Sequence, residues 1–235
     1  MTAQTAEIGS DPLSGITLLS GMDPAARERL ARQCRWKRYG THEQILDRQS
    51  EGTEVCFVAE GAVRIVIYSL SGREVTLEDV PAGGFFGELA AIDGKPRSAS
   101  VMAIDQAMVA ALPGDDFRRL LEAQPKIAMQ VMYRLAQMVR QSTGRIMDLS
   151  TLAANNRVQA ELLRLAKLGE EGDSAVISPI PIHADIAGRV STTRETVARV
   201  MNDLARQGVV KREKGALRIL DVERLEGMVE EIRGE

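Results

Sequence analysis

From Ile127 to about Ala154 the chain reads as one uninterrupted helix. Along it Met132, Leu135, Val139, Ser142, Ile146, Leu149 and Ala153 step by alternating three and four residues, which is a heptad seam. A helix this long has more apolar edge than one small domain covers. It must pair with its own copy about a two-fold axis, or lie across the domain that carries it. The 235 residues exceed the ~100 to 150 of one domain, and the text changes period on either side of the helix. The expected organisation is residues 12–124 as one domain, residues 125–155 as dimerisation helix and hinge, and residues 156–235 as a second domain. Asn155-Asn156 is the expected hinge, since neither residue favours a helix interior.

Ahead of the helix, Asp23-Pro24 reads as an N-cap followed by a first helical position, after a stretch of short helices that begins near Leu13. Met1 to Ser10 reads as a loose polar tail. From Arg35 to about Leu112 short apolar alternations are separated by Gly, Asp and Ser: Cys56-Phe57-Val58, Val63 to Ile67, Val75-Thr76-Leu77, Val101-Met102-Ala103 and Met108-Val109-Ala110. Strands at this spacing make an all-β roll or sandwich, with turns at Gly61 and at Ser71-Gly72. Behind the hinge, Arg157 to Leu168 is an amphipathic helix, and Gly169 to Pro181 reads as a polar connection. Ala184–Val190 and Arg194–Leu204 then form two helices about the tight turn Ser191-Thr192-Thr193, a helix-turn-helix with Val197, Val200, Met201 and Leu204 inside. Strands at Val209 to Glu213 and Ala216 to Leu220 flank Lys214-Gly215 as a two-stranded basic wing.

Two places carry chemistry. Within the strand region, Gly87-Glu88-Leu89 is followed after a short loop by Arg97-Ser98-Ala99. An arginine beside a hydroxyl, with backbone N–H groups nearby, matches a phosphate. The earlier carboxylate would repel a phosphate but suits a ribose hydroxyl, which donates. One fixed cation suits one negative charge, as in a cyclic phosphodiester. Glu88 and Arg97 could also be an ordinary surface salt bridge.

At the start of the second helix of the reading head, Thr193, Arg194, Glu195 and Arg199 stand outside the apolar stripe. Arginine matches the N7 and O6 acceptors of guanine, and glutamate accepts from the amino group of cytosine. Thr192-x-x-Glu195 is also a capping box, and the arginines could be a solvated face. Lys211 and Arg212 in the wing suit phosphates, which position a domain without choosing a sequence.

The stretch from Phe86 to Ala91 and on through Arg97 to Val101 resembles the phosphate-binding cassette of cyclic-nucleotide-binding domains. Arg194-Glu195-Thr196-Val197-Ala198-Arg199 resembles the recognition helix of the cyclic AMP receptor protein family, also called the CRP/FNR family. The order of roll, long helix and winged helix follows that family from Leu13 to Leu220. The resemblance implies an α+β chain with a jelly-roll (double-stranded β-helix) cyclic-nucleotide-binding domain, a dimerisation helix and a C-terminal winged helix. It implies that Glu88 holds the ribose 2′-hydroxyl, that Arg97 and Ser98 hold the phosphate, and that Ser142 and Thr143 reach the purine, one from each subunit. Read from the residues alone, the Ser142 and Thr143 pair could instead set the register of the seam. The resemblance further implies a homodimer on palindromic double-stranded DNA with TGTGA-like half-sites, acting on RNA polymerase. The loop from Glu88 to Arg97 is one residue shorter than in the family's best-known bacterial member, and His183-Ala184 stands where that member has two longer polar side chains.

A rotatable hydroxyl donates or accepts, so the sequence permits cyclic AMP or cyclic GMP. The formal net charge of -3 argues against nucleic acid coating the whole surface but leaves room for a basic face. Cys34 and Cys56 lack metal-ligand spacing, and His42 and His183 fall in separate domains, so no metal, haem or iron-sulfur cluster is expected. No stretch approaches the ~20 apolar residues that span a bilayer, and no basic patch precedes an apolar run near the start, so a cytoplasmic protein without membrane contact is expected. Two rivals stand: a DNA binder that needs no nucleotide, and an enzyme using Glu88 with Glu60. No nucleophile or metal constellation accompanies the second.

Overall fold

The computed structural model describes residues 11–69, 74–167, 169–171 and 174–233. The expected tail at Met1 to Ser10 and the Ser71-Gly72 turn lie outside them. Helix α1, Pro24–Gln33, starts where the sequence places it: the Asp23 carboxylate accepts the Ala26 N–H at 3.0 Å and Pro24 is the first helical residue. Arg27 of α1 is buried and ion-paired with Asp11.

The roll is built from β1 (Arg35–Tyr39), β2 (Gln44–Leu46), β3 (Val55–Glu60), β4 (Ala62–Tyr68), β5 (Glu74–Pro81), β6 (Phe85–Phe86), β7 (Ser100–Ala103) and β8 (Ala107–Leu112). They form two antiparallel four-stranded sheets, ordered β1-β8-β3-β6 and β2-β7-β4-β5. Strand periodicity decides what fills them. Cys56 and Val58 of β3 face a core shared with Val63, Val80 and Val101 of the other sheet. Val55 and Phe57 point the opposite way, into a second core with Leu30 of α1 and Phe117. Phe117 belongs to α3 (Gly114–Ala123). A short helix α2, Glu88–Asp93, interrupts the strands between β6 and β7.

Helix α4, Pro125–Thr151, is the long helix of 27 residues. Ile127 and Val131 in its first turns are buried in the core of the roll that holds Phe117. Beyond them the seam is bare: Met132, Val139, Ile146 and Leu149 are half or more exposed. The expectation that α4 runs to Ala154 with a hinge at Asn155-Asn156 is corrected. The helix ends at Thr151, Ala153 is extended (φ -64°, ψ 157°), and α5 (Ala154–Ala166) already contains both asparagines in its first turn. Asparagine competes with the backbone in a helix interior but is tolerated near a helix start, so its presence does not mark the break.

The chain divides into two compact units, Met1–Gln137 and Met138–Glu235. In the second, α5, α6 (His183–Arg189), α7 (Arg194–Arg206) and α8 (Val222–Arg233) enclose one core with β10 (Ser174–Ile177), β11 (Val210–Glu213) and β12 (Ala216–Ile219). Val197, Val200, Met201 and Leu204 of α7 are all buried there, as their spacing predicts. The polar connection expected from Gly169 to Pro181 is corrected: it holds β9 (Glu170–Glu171) and β10, so the wing strands belong to a sheet ordered β11-β12-β10-β9. Ala175 and Ile177 supply its buried face, an alternation too short to stand out in the sequence.

Candidate ligand site and nucleic-acid interface

The loop between β6 and β7 is shaped around one guanidinium. Gly87 takes φ +84° ahead of α2, and a Cβ there would sit 2.7 Å from Arg97 Nη1 and 2.8 Å from the Glu54 carbonyl oxygen. Only glycine tolerates both that backbone and that approach. Arg97 Nη1 donates to the Gly87 carbonyl at 2.9 Å, and Nη2 donates to the Glu54 carbonyl at 2.8 Å and to its carboxylate at 3.1 Å. Its backbone is pinned as well, since the Arg97 N–H donates to Ser50 O and the Gln49 N–H donates to Arg97 O. With four acceptors placed on Nη1, Nη2 and the backbone N–H, the Nε–H of Arg97 is buried and has no partner.

Glu88 and Arg97 are each 3% exposed, and no ion pair joins them among the described residues. The alternative of an ordinary surface salt bridge is therefore corrected: Arg97 pairs with Glu54, and Glu88 stands apart. Burial pushes the Glu88 carboxyl up. Its own backbone N–H, Arg134 and Arg97 pull the other way, and Glu78 adds to the push. Ser98 and Leu89 are exposed beside the buried pair, and Ala99 is buried beneath it. Ser100 is spoken for internally, accepting the Arg48 N–H at 3.0 Å. Glu60, the imagined catalytic partner of Glu88, is an exposed residue paired with Arg38 at 2.9 Å.

Three residues of this cluster escape sequence reasoning: Glu54, Glu78 and Arg134. Arg134 on α4 makes a two-pronged ion pair with Glu78 of β5, at 3.2 and 3.1 Å, and its guanidinium lies 4.9 Å from the Phe85 ring centre. A signal exists. Ile127, Val131 and Arg134 step by four and three, so the arginine occupies the next place in the buried stripe of α4. Ser142 and Thr143 are exposed further along α4, and the Thr143 hydroxyl donates to the Val139 carbonyl one turn back at 3.0 Å. Val139, Ser142, Thr143 and Ile146 thus belong to the same uncovered stretch of helix.

In the second unit, Arg194, Glu195 and Arg199 are exposed on α7, opposite its buried stripe. The expected cap is displaced by one residue. The Thr192 N–H closes α6 by donating to Ala187 O, and the Thr193 hydroxyl accepts the Thr196 N–H at 3.2 Å as the N-cap of α7. Glu195 is therefore the second helical residue and not the third, and the Thr192-Glu195 capping box does not form. The backbone N–H of Glu195 and the Thr193 hydroxyl hold the Glu195 carboxyl below its ordinary range. Arg194 and Arg212 line one open groove of about 590 Å³, which His183 also borders. His183 Nε2 lies 3.5 Å from Arg212 Nη2. Lys211 is exposed on the same wing strand.

No group of three or more His, Cys, Asp or Glu fit to hold a metal occurs among the described residues. Burial pushes the thiols of Cys34 and Cys56 up to about 12, which leaves both as protonated, unreactive side chains at neutral pH. No helix among the described residues is long and apolar enough to cross a membrane.

The arrangement recurs in known proteins. Residues 36–124 match the cyclic nucleotide-binding domain, and residues 156–228 match the Crp-like helix-turn-helix domain. The cyclic AMP receptor protein of Thermus thermophilus is 30% identical over 216 residues, covering 91% of this chain and 97% of its own. The CRP-like cAMP-activated global transcriptional regulator of Mycobacterium tuberculosis is 27% identical over 210 residues, with 88% and 94% covered. Among solved structures, a CooA variant from Carboxydothermus hydrogenoformans superposes with a TM-score of 0.79 over 90% of this chain and 94% of its own, at 19% identity, a likeness of fold.

Proposed function

Because the chain belongs to the CRP/FNR family of transcription regulators, we propose that it is a homodimeric regulator whose affinity for palindromic DNA is set by cyclic AMP or cyclic GMP. The observation that carries this reading is the buried, unpartnered Nε–H of Arg97, next to the exposed Ser98 and one loop away from the buried Glu88. A buried donor left without an acceptor costs about 1 to 3 kcal/mol. A cyclic phosphate supplies the acceptor and carries only a single negative charge, which suits a site with one arginine that also meets Glu54. A ribose hydroxyl supplies a further donor to the buried Glu88 carboxylate, which its own backbone N–H already meets.

The bare stripe on α4 supports the pairing of two copies, and Ser142 and Thr143 lie within it, where a hydroxyl from each copy can reach the base. Each hydroxyl can accept, and can donate once it turns toward the base, Thr143 giving up its bond to Val139 O; this fits the amino group of adenine as well as the oxygen of guanine. Ligand binding shifts an equilibrium only through unequal affinity for its two states. A base held by both copies provides that inequality, since the complete pocket exists only in the paired arrangement. Arg194, Glu195 and Arg199 would then read base edges in successive major grooves, about 34 Å apart, while Lys211 and Arg212 grip phosphates. Thr193 serves as the helix cap and places its neighbours. The family's regulators bind DNA and act as dimers; action on RNA polymerase and a cytoplasmic location follow from the same reading.

The test is gel retardation on a TGTGA-type palindrome with no nucleotide, with cyclic AMP and with cyclic GMP. Retardation that requires one nucleotide and is lost in Arg97→Ala is the expected result. Equal retardation in all lanes refutes the sensor and leaves a nucleotide-independent DNA binder. Arg199→Ala should relax preference at one base step, whereas Lys211→Ala should weaken every sequence alike.

A further inference from the structure

The chain has two imidazoles, and His183 is the one in the reading head. It borders the open groove of about 590 Å³, whose lining comes from the chain entering α6, the first residue of α7 and the wing. The Ile180 N–H donates to Gly215 O at 2.9 Å, which ties the chain entering α6 to the turn of the wing and holds the ring beside β11. There His183 Nε2 lies 3.5 Å from Arg212 Nη2. A guanidinium has donors only and keeps its charge, so it suits Nε2 while that atom carries a lone pair and opposes it once the atom carries a proton. The charged groups on the elements about the ring are Asp185 of α6, Arg194 of α7, and Arg212 and Glu213 of β11, with Lys211 exposed on the same strand. Glu213 is taken by Arg218 of β12 at 3.0 Å, and α5 brings Glu161 to the other end of α6, 3.8 Å from Arg189. Positive charge prevails in the groove, and an anion fits it.

We propose that His183 is a proton-linked DNA contact: a backbone phosphate enters the groove, meets Arg212 and His183 together, and the imidazole takes up a proton from solvent as it binds. The inference rests on the DNA-binding reading above and gives that interface a response to pH separate from its response to nucleotide. Phosphate oxygens accept from Arg212 and from the newly made Nε2–H, so the anion turns a repulsion between two cations into two charge-assisted bonds. The charged ring is the form that holds DNA, and the neutral ring is the form that suits Arg212 alone. DNA affinity therefore rises as pH falls, over the range between pH 5 and 8 in which an imidazole changes charge. The occupant is a duplex backbone and not a free anion for two reasons. Arg194, placed to read a base edge, lines the same groove, and Ile182, 65% exposed, offers an apolar face to the deoxyribose beside the phosphate.

The experiment is fluorescence anisotropy of the full-length protein on a labelled TGTGA-type duplex at fixed ionic strength, from about pH 5.5 to about pH 8.5. Saturating cyclic AMP or cyclic GMP is present, and the chains compared are the parent, His183→Gln, His183→Lys and Lys211→Ala. One proton taken up on binding changes affinity about tenfold per pH unit where the group titrates, and a dimer carries two such rings. Between about pH 7.5 and about pH 6 the parent should gain at least about tenfold more affinity than His183→Gln, whose amide keeps a donor but does not titrate. Calorimetry in two buffers of different ionisation heat should count more protons taken up by the parent than by this variant. His183→Lys is charged throughout, so it should bind tightly at about pH 8 with a flattened pH response; it gives the answer if the glutamine variant does not fold. Lys211→Ala should bind more weakly at every pH with the parental slope. If both His183 variants keep the parental slope and proton count, the proposal falls, and the DNA-binding reading survives through the loss in Lys211→Ala. If the parent binds no duplex at any pH, with either nucleotide or with none, both fall.

Discussion

Gly87→Ala separates the cost of a backbone conformation from the cost of displacing the ligand arginine, because the same short helix α2 carries a matched control at its other end. Gly87 and Gly94 flank α2 with φ +84° and +69°. A Cβ at Gly94 meets nothing within 4 Å, whereas one at Gly87 lands 2.7 Å from Arg97 Nη1 and 2.8 Å from Glu54 O. The left-handed region costs an L-residue about 1 to 2 kcal/mol, partly offset by ~0.4 to 1 kcal/mol from the stiffer unfolded chain. Gly94→Ala should therefore destabilise the roll by about 1 kcal/mol and leave nucleotide affinity unchanged. Gly87→Ala has the same backbone cost and must also move Arg97 off the Gly87 or the Glu54 carbonyl, since the Glu54 oxygen is backbone and yields little. Losing one charge-assisted bond adds about 1.5 to 3 kcal/mol. The difference between the two variants, roughly 2 kcal/mol, should appear in urea denaturation followed by a probe of the roll. Displacing the guanidinium by a few tenths of an ångström should weaken cyclic AMP binding at least about tenfold. If the two variants unfold at the same urea concentration and bind alike, Arg97 is not held by the Gly87 turn.

Burial raises the Glu88 carboxyl, so its neutral form favours the fold: that contribution is whole below the ordinary value of 4.5 and is lost as pH climbs through the raised one. Glu88→Gln should gain stability over the parent as pH rises across that window, measured by thermal unfolding, while binding cyclic AMP more weakly; a parent that gains on the variant with rising pH refutes the assignment. Ile146→Glu, placing a charge on the bare seam of α4, should shift sedimentation from dimer to monomer and weaken association at least about a hundredfold, given ~1.5 to 3 kcal/mol per buried apolar side chain in each copy. Arg157 donates to Leu152 O at 2.8 Å, Val190 O at 2.9 Å and Ser191 O at 3.3 Å. Arg157→Met should speed amide exchange in residues 190–193 and reduce the nucleotide-dependent gain in DNA affinity, with nucleotide binding itself unchanged.

What the sequence discloses follows the range of the physics involved. The α1 start at Asp23-Pro24, the α7 stripe and the cassette turn are decided within a few residues, by a cap, a period of 3.6 and a glycine at positive φ, and all are readable locally. The one-residue displacement of the cap to Thr193 has no local cause. Two threonines compete, and the Thr192 N–H is drawn to Ala187 O by the packing of α6 on α7. Residue propensity also misplaces the end of α4, pointing to the asparagines, whereas the burial of Leu152 and the Arg157 bond to its carbonyl mark where the helix stops. Glu54 and Glu78 are invisible for a stronger reason. Their partners are 43 and 56 residues away, and a carboxylate in a strand region looks like a solvated one until the fold brings an arginine to it.

Helix α4 gives these separate observations a common direction. Its first turns are fixed to the roll by Ile127, Val131 and the Arg134 to Glu78 pair; just past its last residue, Leu152 is buried and its carbonyl is held by Arg157. Between these anchors Val139, Ile146 and Leu149 of the seam stay exposed on their own chain, so the stability of this stretch depends on what covers it. On the proposed reading, a base shared through Ser142 and Thr143 favours the covered seam. The second anchor is one arginine away from the carbonyls of the α6–α7 turn. Coupling by this route needs no rearrangement inside either core, only a change in how the stretch from Met138 to Thr151 is paired. It follows that Arg157→Met should uncouple nucleotide from DNA while leaving the calorimetric affinity for nucleotide in place, whereas Ile146→Glu, by parting the copies that share the base, should weaken nucleotide binding as well. Loss of nucleotide affinity in Arg157→Met would show that the α6–α7 turn and the cassette are not separable steps.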